Sequence, residues 1–533
     1  LQAGANAITL DVPAPVLPGM ILADLILTSS AGTEWWGSAT FIHQTTAAIT
    51  AFEIEDKIWR QSETVTGTVT ATGDASLTVS LYDAWGNEIA RSHDPNFALP
   101  LRDCQSLVFY AEAVLRRRDT IVDRVRLRRA RHGTTDPELL QIVFGWPGIS
   151  NSNVPAFLID DYIKIMRRFG INGSSGSGSE WEIPFVVKAL RNQNLAFVST
   201  NSTAGTGGKF PYDANRAINS KFDLVRTPCL SQPGLKDSIR QRSADFANSP
   251  ATRYGVHTVA GPDEANMISN NDMCFSPDCQ REFRNWLRTQ YPSLDALNLS
   301  WKTSFASWDD VMAMTSDEVR KHPSYAPWLD HRSFNDWNRA DAIGYVVRGI
   351  HDVDPNLAYS LSGTSETNPW NAWDWYQLMP HLQALSSYTG EQTIQQRCFA
   401  NGKLMLEPWI GYDGDYRHHN QYLLDKLFKG ATGFRIFSGR FYIHPDFTLP
   451  PLAQDLIRAI DRYRNGPAEL IMRADLLAYP IAFLYSPASI KLDWIIDANA
   501  LRRSAVTGFA NLIYDAALTY DYIAYGHLET TDR

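Results

Sequence analysis

Strand-like and helix-like segments alternate eight times from about Pro137 onward, and this repeat constrains the fold more than any other feature of the chain. Each repeat joins a short apolar run to a segment with helical apolar spacing, such as Val154 to Phe169 after the first run. Strand–helix repeats with right-handed crossovers close into a barrel. The sequence therefore predicts a (β/α)8 TIM barrel over residues 138–450. Its predicted strands are Leu139–Trp146, Ile171–Gly173, Leu195–Ser199, Val256–Ala260, Leu357–Leu361, Leu385–Tyr388, Lys403–Glu407 and Gly433–Phe437.

Other regions flank the predicted barrel in this chain of 533 residues. Residues 1–50 hold short strands such as Ala7–Val12, broken by proline and glycine, and predict the C-terminal part of a β-domain. Residues 51–132 have evenly spaced strands and turn residues, which predict an immunoglobulin-like β-sandwich. Residues 451–533 predict a linker helix and the start of an α/β domain. The predicted fold class is a multidomain chain with a TIM barrel between all-β and α/β parts.

Both ends of the chain are expected to continue in a longer protein. Leu1 is not an initiator methionine, and no targeting signal follows it. Localisation is therefore left open, with a lean toward an extracytoplasmic place. The last α/β unit stops at Arg533 before it could bury a core.

Composition and charge exclude several function classes. A net charge of -9 and a pI near 5.8 argue against a nucleic-acid partner, because phosphate binding needs a basic face. The run from Arg116 to Arg131 alternates arginine with apolar residues and is interpreted as the solvated face of a β-sheet. No window reaches the ~18 apolar residues of a membrane helix, so no membrane partner is predicted. The 16 Trp and 22 Tyr suit a carbohydrate ligand, although large cores also use these residues.

Two glutamates are placed by the repeat at the C-terminal ends of predicted barrel strands, where barrel enzymes carry their chemistry. Glu264 follows the fourth strand within the acidic pair Asp263-Glu264, and Glu407 ends the seventh. An ordinary acidic turn is the alternative interpretation of the first pair. Two carboxyl groups that face each other across a cleft can hydrolyse a glycosidic bond, one as the acid and the other as the nucleophile. In the retaining mechanism the two groups are about 5 to 5.5 Å apart. The pair favours a retaining glycosidase.

Five segments of the chain form a recognisable set: GPDEANM, CFSPDCQREFRNWLRTQYPSLDALNLSWKTSFASWDDV, LDHRSFNDWNRADAIGYVVRGIHDVDPN, GKLMLEPWIGY and LLDKLFKGATGFRIFSGR. Together they resemble family 42 of the glycoside hydrolases, the β-galactosidases of clan A. The resemblance covers roughly residues 138–450 and implies a retaining β-galactosidase-like hydrolase without a cofactor. It assigns Glu264 as acid/base and Glu407 as nucleophile. It also implies that residues 451–533 begin an amidotransferase-like domain of the type that assembles trimers, so a homo-oligomer is possible.

The chain departs from the family pattern at two places that bear on the substrate. Asp263 stands where the family has an asparagine that contacts the 2-hydroxyl of the sugar. Pro408-Trp409 follows the seventh strand, where the family has a polar residue and small ones. Trp409 is predicted to form a hydrophobic platform at the catalytic subsite.

Further residues are candidates for substrate contact. Glu391 follows the sixth strand and Glu366 the fifth, and both compete with Glu407 for the nucleophile role. Tyr388 ends the sixth strand and is predicted to hydrogen-bond the nucleophile, with core packing as the alternative. The remaining candidates lie on loops predicted to ring the barrel mouth: Trp146, Trp181, Trp370, Trp373 and Arg440.

Three cysteines are the candidate metal ligands of this chain. Cys274 and Cys279, with Cys229 upstream, resemble the zinc-binding cysteines of some family members, but structural zinc takes four ligands at close spacing. No metal is therefore predicted. His418-His419 is predicted to lie on a solvated loop.

Alternatives to the β-galactosidase-like hydrolase remain open at this point. One is a clan A glycosidase with a different sugar, and another is a non-catalytic carbohydrate-binding protein on a barrel scaffold, since fold does not fix function. A zinc-dependent hydrolase that uses the cysteines is a remote third. The sequence predicts neither exo-action at the ends of a carbohydrate chain nor endo-action within it in preference to the other.

Overall fold

The computed structural model divides into two compact units, Leu1–His132 and Gly133–Arg533. The predicted strand Ala7–Val12 lies outside the described residues. The structure describes residues 19–43, 45–60, 62–84, 86–104, 106, 108–131, 140–145, 158–176, 196–200, 218–249, 252, 258–264, 272–364, 366–388, 390–401, 404–412, 414–437, 442–444, 446–475, 480–496 and 499–528.

The first unit contains an antiparallel hairpin, β1–β2, and two antiparallel-rich sheets with the orders β3-β5-β8 and β4-β10-β9-β6-β7. Strand β3 crosses the boundary predicted at residue 50 and pairs with β5. The strands are β1 (Gly19–Ser29), β2 (Gly32–His43), β3 (Ala48–Ile54), β4 (Ile58–Trp59), β5 (Thr64–Thr72), β6 (Ser76–Asp83), β7 (Glu88–Ser92), β8 (Asn96–Pro100), β9 (Val108–Arg117) and β10 (Thr120–Arg131).

Period-two alternation accounts for the sandwich core. In β5, Val65 and Val69 are buried, while Thr66 and Thr68 between them are exposed. They pack with inward residues of the other sheet such as Leu81. On β10, Arg124 and Arg126 are exposed beside Glu112 of β9, at 4.0 and 3.9 Å. These arginines therefore lie on a solvated sheet face.

The second unit is built on a parallel sheet whose order is β17-β16-β15-β14-β13-β12-β11-β19-β18. All eight predicted barrel strands overlap strands of this sheet. The strands are β11 (Gln141–Phe144), β12 (Gly173–Gly176), β13 (Ala196–Thr200), β14 (Thr258–Asp263), β15 (Ala358–Thr364), β16 (Ala384–Ser387), β17 (Met405–Leu406), β18 (Trp409–Ile410) and β19 (Gly433–Ile436).

The seventh barrel strand is interrupted, and the interruption closes the barrel. Its first piece, β17, pairs with β16, and its second piece, β18, pairs with β19. Between them the Glu407 N–H donates to the Leu385 carbonyl at 2.9 Å, and the Pro408 carbonyl accepts from the Arg435 N–H at 3.0 Å. Proline has no N–H to add to a ladder, so the strand changes partner at Pro408. Glu407 therefore lies at the break.

Helices surround this barrel, and the longest, α6, is largely buried. No helix in the described part of the chain is long and apolar enough to cross a membrane. The helices are α1 (Ile159–Arg168), α2 (Leu235–Ala247), α3 (Pro277–Gln290), α4 (Leu294–Trp301), α5 (Ser316–Val319), α6 (Ala326–Val353), α7 (Trp375–Leu378), α8 (Gly390–Phe399), α9 (Tyr416–Phe428), α10 (Pro451–Arg464), α11 (Pro467–Arg473), α12 (Pro487–Ile495) and α13 (Asn499–Asp515).

The C-terminal segment after α11 adds a short parallel pair, β20 (Ala482–Tyr485) and β21 (Asp521–Ala524). The sequence predicted a unit too short to bury a core. Tyr485, Tyr520 and Tyr522 instead join the hydrophobic core cluster of the barrel. The segment is thus packed onto the barrel by large aromatic side chains.

Candidate active site

Glu264 occupies the turn directly after β14, at the C-terminal edge of the parallel sheet. Its N–H donates to the Ser362 carbonyl of β15 at 3.1 Å, and its φ of 46° lies in the left-handed region. Residues other than glycine are uncommon there and cluster at functional sites when the surroundings hold them. The backbone of Asp263 ends β14, and only its backbone is described. The turn presents a half-buried Glu264 side chain to a cavity.

This cavity has a volume of about 440 Å³ and is bordered mainly by residues that follow the sixth and seventh barrel strands. Its size falls within the roughly 300–1,000 Å³ usual for small-molecule sites. Aromatic side chains dominate the wall, which suits the apolar C–H faces of a sugar. Beside Glu264 it is lined by Tyr388, Trp409, Tyr412, His418, His419 and Tyr422.

Tyr388 contacts Glu264 rather than the partner predicted for it. Its hydroxyl donates to Glu264 Oε1 at 2.9 Å, whereas the sequence had assigned it to the nucleophile candidate Glu407. That assignment was wrong about the partner because strand order alone does not show which wall a long side chain crosses to reach. Tyr388 joins the ends of the fourth and sixth strands through this bond.

Glu407 is held in the barrel interior by a strand-eight arginine. The carboxylate is 3% exposed and accepts from Arg435 Nε at 2.8 Å. Arg435 is itself buried, and its Nη2 has no hydrogen-bond partner among the described residues. A buried charge needs a close countercharge, and this guanidinium supplies one for an ionised carboxylate. Glu407 is thus positioned and charge-paired at the break of the seventh strand.

Trp409 lines the cavity from β18, as the sequence predicted for a platform residue. Its ring packs so closely on Gly145, after the first barrel strand, that a Cβ at Gly145 would lie 2.1 Å from it. Only glycine leaves room there. The buried indole Nε1–H has no acceptor among the described residues. The unpaired N–H thus lies in the wall beside the cavity.

The histidine pair is a functional candidate that sequence reasoning placed wrongly. His418 and His419 were predicted on a solvated loop, but they lie in the first turns of α9, whose N-cap Asp415 accepts from the His418 N–H. Both histidines line the cavity, together with Tyr422. The spacing of His418 and Tyr422, one helical turn apart, was the available signal. The Tyr422 hydroxyl donates to the Trp409 carbonyl at 3.2 Å and so ties α9 to β18.

Three predicted contact residues lie away from this cavity, and these predictions are corrected. Trp373 is 1% exposed, with Arg339 stacked 4.3 Å from its ring, so it offers no face to a sugar. Trp370 packs against Trp328 at 6.1 Å in a separate apolar cluster. Glu391 accepts from the hydroxyls of Tyr520 at 2.7 Å and Tyr522 at 3.0 Å in the C-terminal segment. The sequence predicted all three at the barrel mouth because their loops follow barrel strands, but their side chains point to other parts of the unit. Trp146, Trp181 and Arg440 lie outside the described residues.

Three buried thiols come together beneath α3. The sulfurs of Cys229, Cys274 and Cys279 lie within 4.8 Å of one another. Ser276 Oγ is the fourth polar atom there, donating to Cys229 Sγ at 3.1 Å and accepting from Cys274 Sγ at 3.4 Å. Hydrogen bonds with Cys229 and Cys279 hold the pKa of Cys274 far below its usual value, whereas hydrogen bonds with Cys229 and Cys274, and then burial, raise the pKa of Cys279.

Structural zinc takes four thiolate or imidazole ligands, so the three thiols and one hydroxyl of this cluster do not complete a zinc site. Adding a fourth thiol in place of the Ser276 hydroxyl tests whether the missing ligand is what prevents zinc binding. We expect Ser276→Cys to purify with about one zinc per chain, by metal analysis, and the unchanged chain with clearly less. Cys279→Ser in the same variant is the control and should return zinc to the lower level. Equal zinc in Ser276→Cys and the unchanged chain would contradict the expectation.

Comparisons with known proteins agree on one family. Residues 216–404 match the model of glycoside hydrolase family 42, described as beta-galactosidase. The beta-galactosidase BgaP of Planococcus sp. (strain L4) is 29% identical over 157 residues, which is 27% of this chain and 22% of that protein. A beta-galactosidase of Thermus thermophilus is 35% identical over 90 residues, covering 16% of this chain and 13% of that protein. The aligned segments thus span less than a quarter of these relatives' own length.

Solved structures show the same fold. A family 42 beta-galactosidase from G. stearothermophilus superposes with a TM-score of 0.56 at 12% identity, covering 74% of this chain and 66% of that one. A beta-galactosidase from Rahnella sp. R3 gives 0.55 at 14% identity, covering 73% and 66%. At this identity the likeness concerns the fold, while the family assignment rests on the matched sequence segment. The match of residues 216–404, together with the named relatives, supports a member of glycoside hydrolase family 42.

Proposed function

We propose that this protein is a retaining glycoside hydrolase that cleaves a β-glycosidic bond, with Glu264 as acid/base and Glu407 as nucleophile. The observation that carries the proposal is the placement of these glutamates, one directly after β14 and the other at the break in the seventh strand. Both lie at the C-terminal ends of barrel strands, where barrel enzymes hold their reacting groups.

The environments of the two carboxyl groups suit different roles. Glu264 faces a cavity and accepts from the neutral hydroxyl of Tyr388, so it can hold or release a proton at the glycosidic oxygen. Glu407 is buried and is not among the described residues that line this cavity, so a sugar must reach past the lining to meet it. Its pairing with Arg435 supports the charged form that a nucleophile needs to attack the anomeric carbon. After glycosyl transfer, Glu264 as a base would remove a proton from the water that attacks the covalent intermediate.

A galactoside is the proposed substrate class, because the matching relatives are named beta-galactosidases. The cavity supports a sugar ring: aromatic side chains line it, and the Trp409 indole N–H can donate to a hydroxyl. Asp263, at the end of β14, is the position at which a different sugar preference would enter.

A panel of nitrophenyl glycosides tests the proposal. We expect the β-D-galactoside to be hydrolysed fastest, and proton NMR to show the β-anomer of the sugar as the first product, since double displacement retains configuration. First release of the α-anomer would overturn the retaining mechanism. Faster hydrolysis of another β-glycoside would keep the mechanism and replace the sugar, and binding without turnover of any glycoside would favour a carbohydrate-binding protein.

Tyr388 is proposed as a positioning residue for the acid/base. We expect Tyr388→Phe to lower kcat/KM for an alkyl galactoside by about tenfold or more, because one hydrogen bond to a charged group is worth roughly 1.5–3 kcal/mol. The loss should be smaller for a nitrophenyl galactoside, whose leaving group needs little protonation. Tyr412→Phe, which alters the same cavity wall without this bond, is the matched control. An equal loss for both leaving groups would assign Tyr388 to sugar binding instead.

A further inference from the structure

A second cavity lies between the barrel and the C-terminal segment. It has a volume of about 290 Å³. Its walls come from the loop after β15, from α8, from β20 and from α12 and α13. Among the described residues, its lining shares no member with that of the cavity at Glu264. It is therefore a separate compartment of the same unit.

A buried amide in this cavity wall has no partner among the residues that the structure describes. Gln392 of α8 lines the cavity and is 1% exposed, yet neither its Nε2 nor its Oε1 has a hydrogen-bond partner among the described residues. Buried polar side chains are nearly always hydrogen-bonded, since an unmade bond in the interior is costly. The donor and acceptor of this amide are buried in the cavity wall, so a molecule in the cavity pairs with them when the Gln392 side chain turns toward it.

The charges around the cavity disfavour an anion. Glu366 and Glu391 both line it, and the Arg502 guanidinium beside them is already 2.8 Å from Asp493. An anionic ligand would meet two carboxylates, and the lining arginine beside them already has Asp493 as a countercharge. A cation gains little from Glu391, which already accepts hydrogen bonds from Tyr520 and Tyr522. A neutral ligand fits this balance best.

The remaining lining combines apolar walls with hydroxyl groups. Phe483, Ile490 and Val506 supply apolar surface, and Ser489 and Thr507 supply hydroxyls. A pyranose presents apolar C–H faces and a rim of hydroxyls that both donate and accept, as the Gln392 amide requires. The volume lies at the lower end of the roughly 300–1,000 Å³ of small-molecule sites, which limits the ligand to about one sugar ring.

We propose that this cavity is a second binding site for a neutral monosaccharide, held by the Gln392 amide between the barrel and the C-terminal segment. Bound sugar would bridge α8 to α13 and stabilise the association of that segment with the barrel. The site goes beyond the proposed hydrolysis, and its test needs no turnover.

Calorimetric titration of the full chain with galactose, glucose and xylose tests the site, with thermal unfolding in each sugar as a second readout. We expect at least one sugar to bind and to raise Tm. Gln392→Leu should raise its Kd by at least about tenfold, because both amide contacts are lost. The same variant should unfold at a higher temperature without sugar, since two unpaired buried polar atoms are removed.

Gln396→Leu is the matched control. Gln396 lies one turn along α8, is 0% exposed and has the same two unpaired amide atoms among the described residues, but it does not line the cavity. It should raise Tm without sugar and leave sugar affinity unchanged. A cavity-filling pair repeats the comparison: Val506→Trp should abolish binding, and Leu512→Trp on the exposed side of α13 should not.

The variants distinguish sugar binding in the cavity at Glu264 from sugar binding in the second cavity. A binding event that survives Gln392→Leu and Val506→Trp but is lost in Trp409→Ala belongs to the cavity at Glu264. If that is the only event, the second site is overturned while the proposed hydrolysis stands. No binding of any of the three sugars at about 10 mM, an order above usual KM values, would also overturn it. So would equal loss of affinity in Gln392→Leu and Gln396→Leu.

Discussion

Replacing Glu407 by glutamine is expected to lower kcat on nitrophenyl β-galactoside by roughly four orders of magnitude or more, the scale of loss when a covalent nucleophile is removed. Glutamine keeps the shape of the side chain but removes the negative charge that attacks the anomeric carbon. The loss should appear with every leaving group, because the covalent glycosyl-enzyme intermediate cannot form. Steady-state kinetics on aryl and alkyl galactosides measures it.

Glu264 and Glu391 supply the comparisons for this experiment. Glu264→Gln should lose about 10²–10⁴ on an alkyl galactoside, the usual range for a general acid–base. On the nitrophenyl substrate, Glu264→Gln should lose less of the rate at which the glycosyl-enzyme forms, because nitrophenolate leaves without a proton. In Glu407→Gly, azide can enter the space of the missing nucleophile and should yield the α-galactosyl azide. In Glu264→Gly, azide should attack the covalent intermediate and yield the β-galactosyl azide. Glu391→Gln should keep turnover, since its carboxylate faces Tyr520 and Tyr522. Near-normal activity of Glu407→Gln would reject the assigned nucleophile.

Lys491→Met is expected to lower the free energy of unfolding by about 3–5 kcal/mol, because removing one partner of a buried ion pair leaves an uncompensated charge. Lys491 of α12 is fully buried and contacts the Asp336 carboxylate of α6. The pair joins the C-terminal segment to a helix of the barrel. Urea unfolding of the full chain measures the change. Adding Asp336→Leu should recover most of the loss, since apolar residues can replace a buried pair.

The pH dependence of this loss has a definite sign. Burial raises the pKa of Asp336 to about 6, and Lys491 opposes that rise. Without Lys491 the buried carboxyl takes up a proton more readily when folded than when unfolded, so lower pH favours the folded variant. The deficit of Lys491→Met should therefore shrink as the pH falls toward about 6, the pKa that Asp336 has with Lys491 present, and should stay constant below it, where the carboxyl is protonated in both folded proteins. Lys164→Met, which removes an exposed partner of Asp161, is the control and should cost no more than about 1 kcal/mol. A pH-independent deficit would contradict this account of the pair.

The sequence predicted the barrel well because burial and period are local signals. The run Gly433 to Phe437 is apolar apart from Arg435, and it is observed as β19, whose four residues are all buried as in a strand covered on both sides. The break of the seventh strand was not predicted, because its cause is a change of hydrogen-bond partner between β16 and β19 at Pro408. A pairing across the barrel leaves no local periodic signal.

Site residues were predicted less evenly. The strand-end rule brought Glu264 and Trp409 to one cavity, since it uses only chain position relative to a strand. It could not separate Glu391 from them, because the tyrosines that bind this carboxylate come from the C-terminal segment more than a hundred residues later. It also missed His419, whose approach to the cavity depends on how α9 packs after the break.

Covalent trapping of the glycosyl-enzyme tests the central assignment most directly. Incubation with an activated 2-deoxy-2-fluoro-β-galactoside, which slows breakdown of the covalent intermediate more than its formation, followed by peptide mass spectrometry, identifies the residue that carries the sugar. We expect one fluorogalactosyl group per chain on the peptide that contains Glu407, with none on that peptide in Glu407→Gln. A label on the peptide of Glu264 or of Glu391, or rapid turnover of the reagent by Glu407→Gln, would contradict the account.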